Sequence, residues 1–228
     1  MIHRMKVRLA HEDHGLSLTE LLVASMLTLL IIVMVGTMFA NTAQLTSNAT
    51  QNRNSNTVAS NIANELRTVI GLAVQVPVSG STTPLPAVSS GSDSVLVIYS
   101  LVDVTDPSNP APTRVTFDSS TGSLIESRCV GKSVSGFWTF SSCASSSTRN
   151  LGGVITAPTP SQLPLFTYVN GTGGALALAA GSLSSASLPL VASITVSVKV
   201  QAPGSKTAPV YFSSNVGMPN IGLQQGSS

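Results

Sequence analysis

The chain has 228 residues, of which 43% are hydrophobic and only 9% are charged, with a formal net charge of +2. This length leaves room for one sizeable folded domain beside a membrane segment. Because no basic face stands out, the composition gives no support to direct nucleic-acid binding. The polar but nearly uncharged remainder of the chain suits an extracytoplasmic surface that packs against copies or relatives of itself.

The first 15 residues form a short leader that ends in Gly15. It carries Arg4, Lys6 and Arg8, and positive flanks of a membrane segment tend to remain on the cytoplasmic side. An ordinary secretory signal also begins with basic residues, but its apolar core is short and precedes a small-residue cleavage site. Here a longer apolar stretch follows the glycine, so we expect the leader to stay in the cytoplasm.

An apolar segment begins at Leu16 and ends near residue 40. Its length is sufficient to cross a bilayer, since about 20 apolar residues span the hydrocarbon core. It is too uniformly apolar for a core helix of a soluble domain. One carboxylate, Glu20, lies near its start, and an unpaired carboxylate in hydrocarbon is costly. A simple membrane anchor, with Glu20 reaching only to the membrane surface, is the alternative, but it does not account for Glu20 and Gly15 together.

Helical spacing continues beyond the apolar segment, and we predict one helix over residues 16–70, with a transmembrane half over residues 16–40. Gly71 is the predicted stop, with Arg67 in the last turn, where a cation suits the helix dipole. Residues 48–57 are rich in Asn and Thr, so we expect bending or fraying there. The predicted amphipathic stripe comprises Leu45, Ala49, Val58, Ile62, Leu66 and Val69.

Residues 71–93 are rich in Pro, Ser, Thr and Gly and are predicted to form a linker loop. A β domain is predicted over residues 94–222, followed by a flexible tail over residues 223–228. The sheet is expected to be largely antiparallel and to pack one face on the second half of the helix, which gives an α+β fold. Strands are predicted at residues 94–101, 113–118, 123–128, 165–169, 192–201 and 210–212.

Two cysteines, Cys129 and Cys143, are the only ones in the chain. An even pair in an exported chain predicts a disulfide, which would stabilise the fold by roughly 3 kcal/mol in the chain-entropy model. Two free buried thiols are the alternative. The aromatic residues Phe137, Trp138 and Phe140 lie between the cysteines, and we expect them to pack in a core rather than to form an exposed contact patch.

Candidate catalytic residues are few. His3, His11 and His14 all lie in the leader, so a chain without its leader has no histidine, which excludes a histidine-based triad or a histidine-metal site. Residues 103–109 offer oxygen ligands for calcium, but a solvated turn is the favoured interpretation. We therefore predict no enzyme, no catalytic residue, no metal site and no cofactor.

Gly15, Leu16 and Glu20, together with the apolar segment, resemble the N-terminal signal of type IV pilins and type II secretion pseudopilins. The resemblance implies cleavage by a prepilin peptidase between Gly15 and Leu16, and methylation of the new amine of Leu16. It gives Glu20 an assembly role, in which its carboxylate pairs with the Leu16 amine of a neighbouring subunit. It also implies the type IV pilin fold, in which a long N-terminal helix packs on an antiparallel sheet.

The segments downstream follow an order that resembles that of PilW-like minor pilins and the J-type pseudopilin. They include Pro-Leu-Phe-Thr-Tyr at residues 164–168 and Leu-Pro-Leu-Val before the long alternating strand. This implies a minor pilin-like subunit for type IV pilus assembly or initiation. The implied partners are prepilin peptidase, other minor and major pilins or pseudopilins, the inner-membrane assembly platform and membrane lipid. The expected location is the cytoplasmic membrane, crossed once, with the C-terminal domain outside. Alternatives are a type II secretion pseudopilin, a competence pilus component and a membrane-anchored adhesin.

Overall fold

The computed structural model describes residues 17–103, 110–152, 164–201 and 208–221. The chain divides into two compact units, Met1–Ser47 and Asn48–Ser228. One long apolar N-terminal helix and antiparallel sheets make this an α+β protein, as the sequence predicts.

Helix α1 comprises 54 residues, Leu18–Gly71. It is uninterrupted through residues 48–57, so the fraying expected there is not found. The Thr57 hydroxyl donates a 3.0 Å hydrogen bond to the carbonyl of Arg53, and Ser55 is buried. Tertiary burial thus outweighs the low intrinsic helix propensity of this segment. Because the helix continues to Gly71, its last turn contains no basic residue, and the placement of Arg67 in that turn is wrong.

The buried face of α1 begins later than the sequence stripe predicts. Leu45 is 69% exposed and Ala49 is also exposed, so neither belongs to a core. The stripe starts at Ser55, where the helix begins to pack against other elements of the second unit. Its buried members are Ser55, Ala59, Ile62, Ala63, Leu66, Val69 and Ile70.

The described strands form three antiparallel sheets rather than the single sheet that the sequence predicts. A five-stranded sheet has the order β1-β2-β3-β4-β7, a three-stranded sheet the order β10-β9-β8, and β5 and β6 form a hairpin. A short 3₁₀ helix, Leu188–Leu190, precedes β9. The strands are β1 Val88–Gly91, β2 Val95–Ser100, β3 Thr113–Asp118, β4 Ile125–Val130, β5 Lys132–Val134, β6 Phe137–Thr139, β7 Ser146–Asn150, β8 Phe166–Asn170, β9 Val191–Val200 and β10 Val210–Gly217.

Four of these strands differ from the sequence prediction. Strand β1 lies within residues 71–93, which were predicted to form a loop. Its Ser and Gly residues suggest a turn, but Val88 is buried and the segment forms a strand. Strands β5, β6 and β7 were not predicted. The residues of β7 are polar and all exposed, so it has no hydrophobic alternation to reveal it. The predicted hairpin between β3 and β4 is confirmed, with Gly122 in the turn at a φ of 80°.

The main core is shared by the C-terminal part of α1 and the two larger sheets. At the end of the helix, the buried Ser100 hydroxyl donates a 2.8 Å hydrogen bond to the carbonyl of Val69, which satisfies one of the carbonyls that a helix terminus leaves free. Fully buried members of this core include Ile62, Leu66, Ile70, Leu96, Ile98, Phe117, Phe166, Tyr168 and Ile194.

A second, smaller core lies on the other face of the five-stranded sheet. Tyr99 follows Ile98 of the main core, and Cys129 follows Arg128, which contacts Glu65 of α1. Because successive strand residues point to opposite faces, Tyr99 and Cys129 face away from the helix. The core contains Val76, Tyr99, Cys129, Trp138 and Phe140. The expected core packing of Trp138 and Phe140 is therefore confirmed, while Phe137 is only partly buried.

Candidate functional site

The start of α1 is a reciprocal capping arrangement between Ser17 and Glu20. The backbone N–H of Ser17 donates to Oε2 of Glu20 at 3.0 Å, and the backbone N–H of Glu20 donates to the Ser17 hydroxyl at 3.2 Å. Such a capping box satisfies two backbone donors that a helix start otherwise leaves free. The sequence prediction missed this role, although the Ser-x-x-Glu spacing before an apolar run is its recognised signature.

The helix beyond this cap is apolar and exposed. Glu20 is the only charged residue between Leu18 and Arg53. Among the described residues, α1 is the one helix that is long enough and apolar enough to cross a membrane. None of its most apolar 18-residue stretch is buried. A continuous exposed apolar surface of this kind marks contact with lipid or with another protein. Its large exposed side chains include Leu21, Leu22, Met26, Leu29, Leu30, Ile32, Met34 and Phe39.

The predicted processing residues, Gly15 and Leu16, lie outside the described residues. Glu20 lies in the first turn of α1, where a negative charge also favours the positive end of the helix dipole. Its carboxylate accepts one bond from the cap, and an ionised carboxylate has about four acceptor positions on two oxygens. Glu20 therefore retains capacity for a cationic partner while it caps its own helix.

The predicted disulfide between Cys129 and Cys143 is confirmed, with an S–S distance of 2.05 Å and a Cα–Cα distance of 5.2 Å. Cys129 lies at the end of β4 and is buried in the second core, whereas Cys143 lies in the exposed segment before β7. The bridge therefore fixes the β5–β6 hairpin region to the five-stranded sheet.

A cluster of five charged residues, which the sequence analysis did not predict, lies between α1 and this sheet. Arg128 contacts three carboxylates: Nε lies 2.5 Å from Glu126, Nη2 lies 2.6 Å from Glu65, and Nη1 lies 2.9 Å from Asp103. Arg149 contacts two of the same carboxylates, Glu65 and Glu126, each at 2.6 Å. Glu65 on the helix thus shares one oxygen between two guanidinium groups.

The register of the sheet explains why a glutamate is buried there. Leu96, Phe117, Glu126 and Arg149 face one another on four adjacent strands, β2, β3, β4 and β7. The row is apolar on β2 and β3 and charged on β4 and on the edge strand β7. Because the side chain of Glu126 is fully buried, its charge needs close partners, and two arginines supply them.

The arginines in this cluster are held in their charged form. Burial lowers the pKa of Arg128, but the hydrogen bond and charge of Glu126 and the charges of Asp103 and Glu65 outweigh it, so the net shift is upward. The hydrogen bond that Arg149 donates to Glu126 raises the pKa of Arg149. A raised pKa of a basic group stabilises the fold at every pH below the ordinary arginine range, and this contribution is lost only as pH rises above it.

The possible calcium ligands are otherwise engaged or not described. Asp103 is bound to Arg128, and residues 104–109 lie outside the described part of the chain. Among the residues that the structure describes, no group of three or more His, Cys, Asp or Glu side chains is arranged to hold a metal ion.

No protein-family model matches this chain, and no curated protein sequence is significantly similar to it. An inference about function therefore depends on the residues and contacts of the chain itself.

Proposed function

We propose that this chain is a type IV pilin-like structural subunit, a minor pilin that takes part in the assembly or initiation of a type IV pilus. Under this proposal prepilin peptidase cleaves it after Gly15, the amine of Leu16 is methylated, and its partners are other pilins, the inner-membrane assembly platform and membrane lipid. Its role is structural and not catalytic.

The observation that carries the proposal is the isolated carboxylate at the start of the exposed apolar helix. No other charge occurs between Leu18 and Arg53, so a partner for Glu20 within this segment must come from the new N-terminus or from another molecule. A membrane anchor gains the local cap from Glu20, but an uncharged glutamine would also serve there, and the charge itself raises the cost of insertion. A subunit that docks beside copies or relatives gains a contact that fixes its register.

The capping box gives Glu20 a second role that any test of assembly has to separate from the first. Replacing Glu20 with Leu removes the charge together with the bond that its carboxylate accepts from the Ser17 N–H. Glu20→Gln keeps an oxygen that accepts from the Ser17 N–H, since glutamine also serves in capping boxes, but it removes the charge. Ser17→Ala keeps the carboxylate and removes the bond from the Glu20 N–H to the Ser17 hydroxyl.

The expected losses differ in size. Removing one partner of a buried ion pair costs about 3–5 kcal/mol, which weakens an association by at least two decades. Removing an N-cap side chain costs about 1 kcal/mol, less than one decade. We expect Glu20→Gln and Glu20→Leu to insert into the membrane normally and to lose association with partner pilins, while Ser17→Ala retains most of it.

The experiment is cross-linking and co-purification of the full chain with the pilins of its own cell, with alkaline extraction as the insertion control. Wild-type association of Glu20→Gln would refute the docking role of the carboxylate. Wild-type association of Glu20→Gln together with a loss in Ser17→Ala would assign the effect to the cap instead. Capture of secretion pseudopilins in place of pilins would assign the chain to a type II secretion system.

A further inference from the structure

An open cleft with a volume of about 610 Å³ lies beside the β5–β6 hairpin. Small-molecule sites in proteins commonly have volumes of roughly 300–1,000 Å³. The described lining of this cleft shares no residue with the charged cluster. Its walls come from the hairpin, from the segment that follows it to Ser142, and from Val78 and Ser79.

The hairpin that forms this cleft has a constrained backbone. Its turn residues Ser135 and Gly136 have φ angles of 53° and 85°, and positive values at both central positions are typical of a two-residue type I′ turn. A residue with a side chain rarely adopts a positive φ, so Ser135 is held there by its surroundings. Trp138 of β6 and Phe140, which follows that strand, are buried in the second core, and the Cys129–Cys143 bridge closes the loop that contains the hairpin.

The lining combines three kinds of group. Phe137 is partly exposed and Val134 is 52% exposed, and together they offer an apolar surface. Hydroxyl groups come from Ser79, Ser142 and others around the rim. Lys132 is the only charged residue among the described residues that line the cleft. It is exposed, and none of the ion pairs of the described residues includes it.

These groups select one class of ligand. Hydroxyls around a rim match a ligand that itself carries many hydroxyls, and a partly exposed aromatic ring matches the apolar C–H face of a pyranose. Lys132 makes no ion pair with a described residue, and such a lysine favours an anion. We propose that this cleft binds an acidic saccharide, with a sugar ring against Phe137 and its carboxylate at Lys132. This site is independent of the assembly role proposed for Glu20.

Trp138 makes the proposal directly measurable. It is the only tryptophan of the chain and it lines the cleft, so intrinsic tryptophan emission reports on this region alone. The full chain in detergent micelles is titrated with trigalacturonate, and in parallel with the methyl ester of the same trisaccharide, which has the same rings without the charges. We expect a saturable change in emission for the acid and at least tenfold weaker binding of the ester.

The exposed Lys132 and the partly exposed Phe137 provide the variants. Lys132→Gln should weaken binding of the acid by about tenfold and leave binding of the ester unchanged, while Phe137→Ala should weaken both ligands. Lys199→Gln, on β9 and outside the cleft, is the matched control and should bind both ligands like the wild type. Thermal unfolding of each variant checks that the fold is retained.

Several outcomes would overturn the proposal. The first is the absence of any saturable emission change with trigalacturonate at millimolar concentration. The second is an equal loss in Lys132→Gln and Lys199→Gln, which would reflect net charge rather than the cleft. The third is equally tight binding of hexaglutamate, which would show that the cleft recognises an acidic peptide and not a sugar.

Discussion

The buried carboxylate of Glu126 accepts a 2.6 Å hydrogen bond from Nε of Arg149, which lies directly opposite it on β7. All five residues of strand β7 are exposed, and the strand forms an edge of its sheet. The same guanidinium contacts Glu65 of α1. The Arg149 side chain of the edge strand is therefore fixed to the sheet and to the helix by ion pairs. Most of the fold, by contrast, is held by apolar contacts.

Replacement of Glu126 by Gln should destabilise the second unit. The change keeps the volume of the side chain but leaves Arg128 without its nearest carboxylate. Breaking a buried ion pair in this way costs about 3–5 kcal/mol, and we expect about 3 kcal/mol because Arg149 is half exposed. Urea unfolding followed by circular dichroism measures the loss.

Arg114→Gln is the matched control for this variant. Arg114 lies on the neighbouring strand β3, paired with Tyr99, and is only partly buried. A surface-type substitution of this kind changes stability by about 0.5 kcal/mol or less. A loss below 1 kcal/mol for Glu126→Gln would show that the cluster contributes little to the fold.

The cluster also shows where sequence reasoning succeeds and fails. Helix α1 and strand β9 were predicted because each has a local hydrophobic pattern. Strand β7 has no such hydrophobic pattern, and it is held by pairing with β4 and by the contacts of Arg149. A glutamate such as Glu126 normally indicates an exposed position, and its burial depends on arginines 2 and 23 residues away in the chain. By contrast, the cap formed by Ser17 and Glu20 is fully local and was readable from the sequence.

Loss of the disulfide should cost roughly 3 kcal/mol, because the bridge closes a loop of about 15 residues in the unfolded chain. The double substitution Cys129→Ser and Cys143→Ser avoids a single unpaired thiol, and its urea midpoint is compared with that of the oxidised wild type. Alkylation without reductant should label neither cysteine in folded protein. Full labelling of both cysteines would contradict the bridge.

Gly91→Ala should be destabilising for a purely steric reason. A Cβ added at Gly91 would lie 2.5 Å from Cζ of the Tyr168 ring. Tyr168 is 1% exposed and its hydroxyl donates a 2.9 Å bond to the carbonyl of Ser92. Burial raises the pKa of Tyr168, so it stays protonated and keeps that bond. Overpacking of this kind costs about 1–3 kcal/mol.

The control for this steric argument is Gly217→Ala on β10, where an added Cβ meets nothing within 4 Å. A glycine in a strand is less stable than alanine by about 0.5–1 kcal/mol, so this variant should be neutral or slightly more stable. Thermal unfolding of the two variants side by side measures the difference. Equal melting temperatures would show that the ring of Tyr168 shifts without cost.

Processing at Gly15 is the prediction on which the biological assignment rests most directly. Cells that contain a prepilin peptidase should yield a chain that lacks its first fifteen residues and begins at a methylated Leu16. The reason is steric: glycine has no side chain, so a peptidase approaches the backbone closely at this position. The structured helix begins at Leu18 with its cap at Ser17, so the proposed scissile bond precedes the first helical residue. Mass spectrometry of the intact membrane-extracted chain identifies the N-terminus.

Gly15→Val should retain the leader. Gly36→Val is the matched control and should be cleaved normally, since it makes the same substitution within the apolar helix, where an added Cβ meets nothing within 4 Å. A mature chain that begins anywhere other than Leu16, or normal cleavage of Gly15→Val, would remove the processing signal and leave α1 as a membrane anchor.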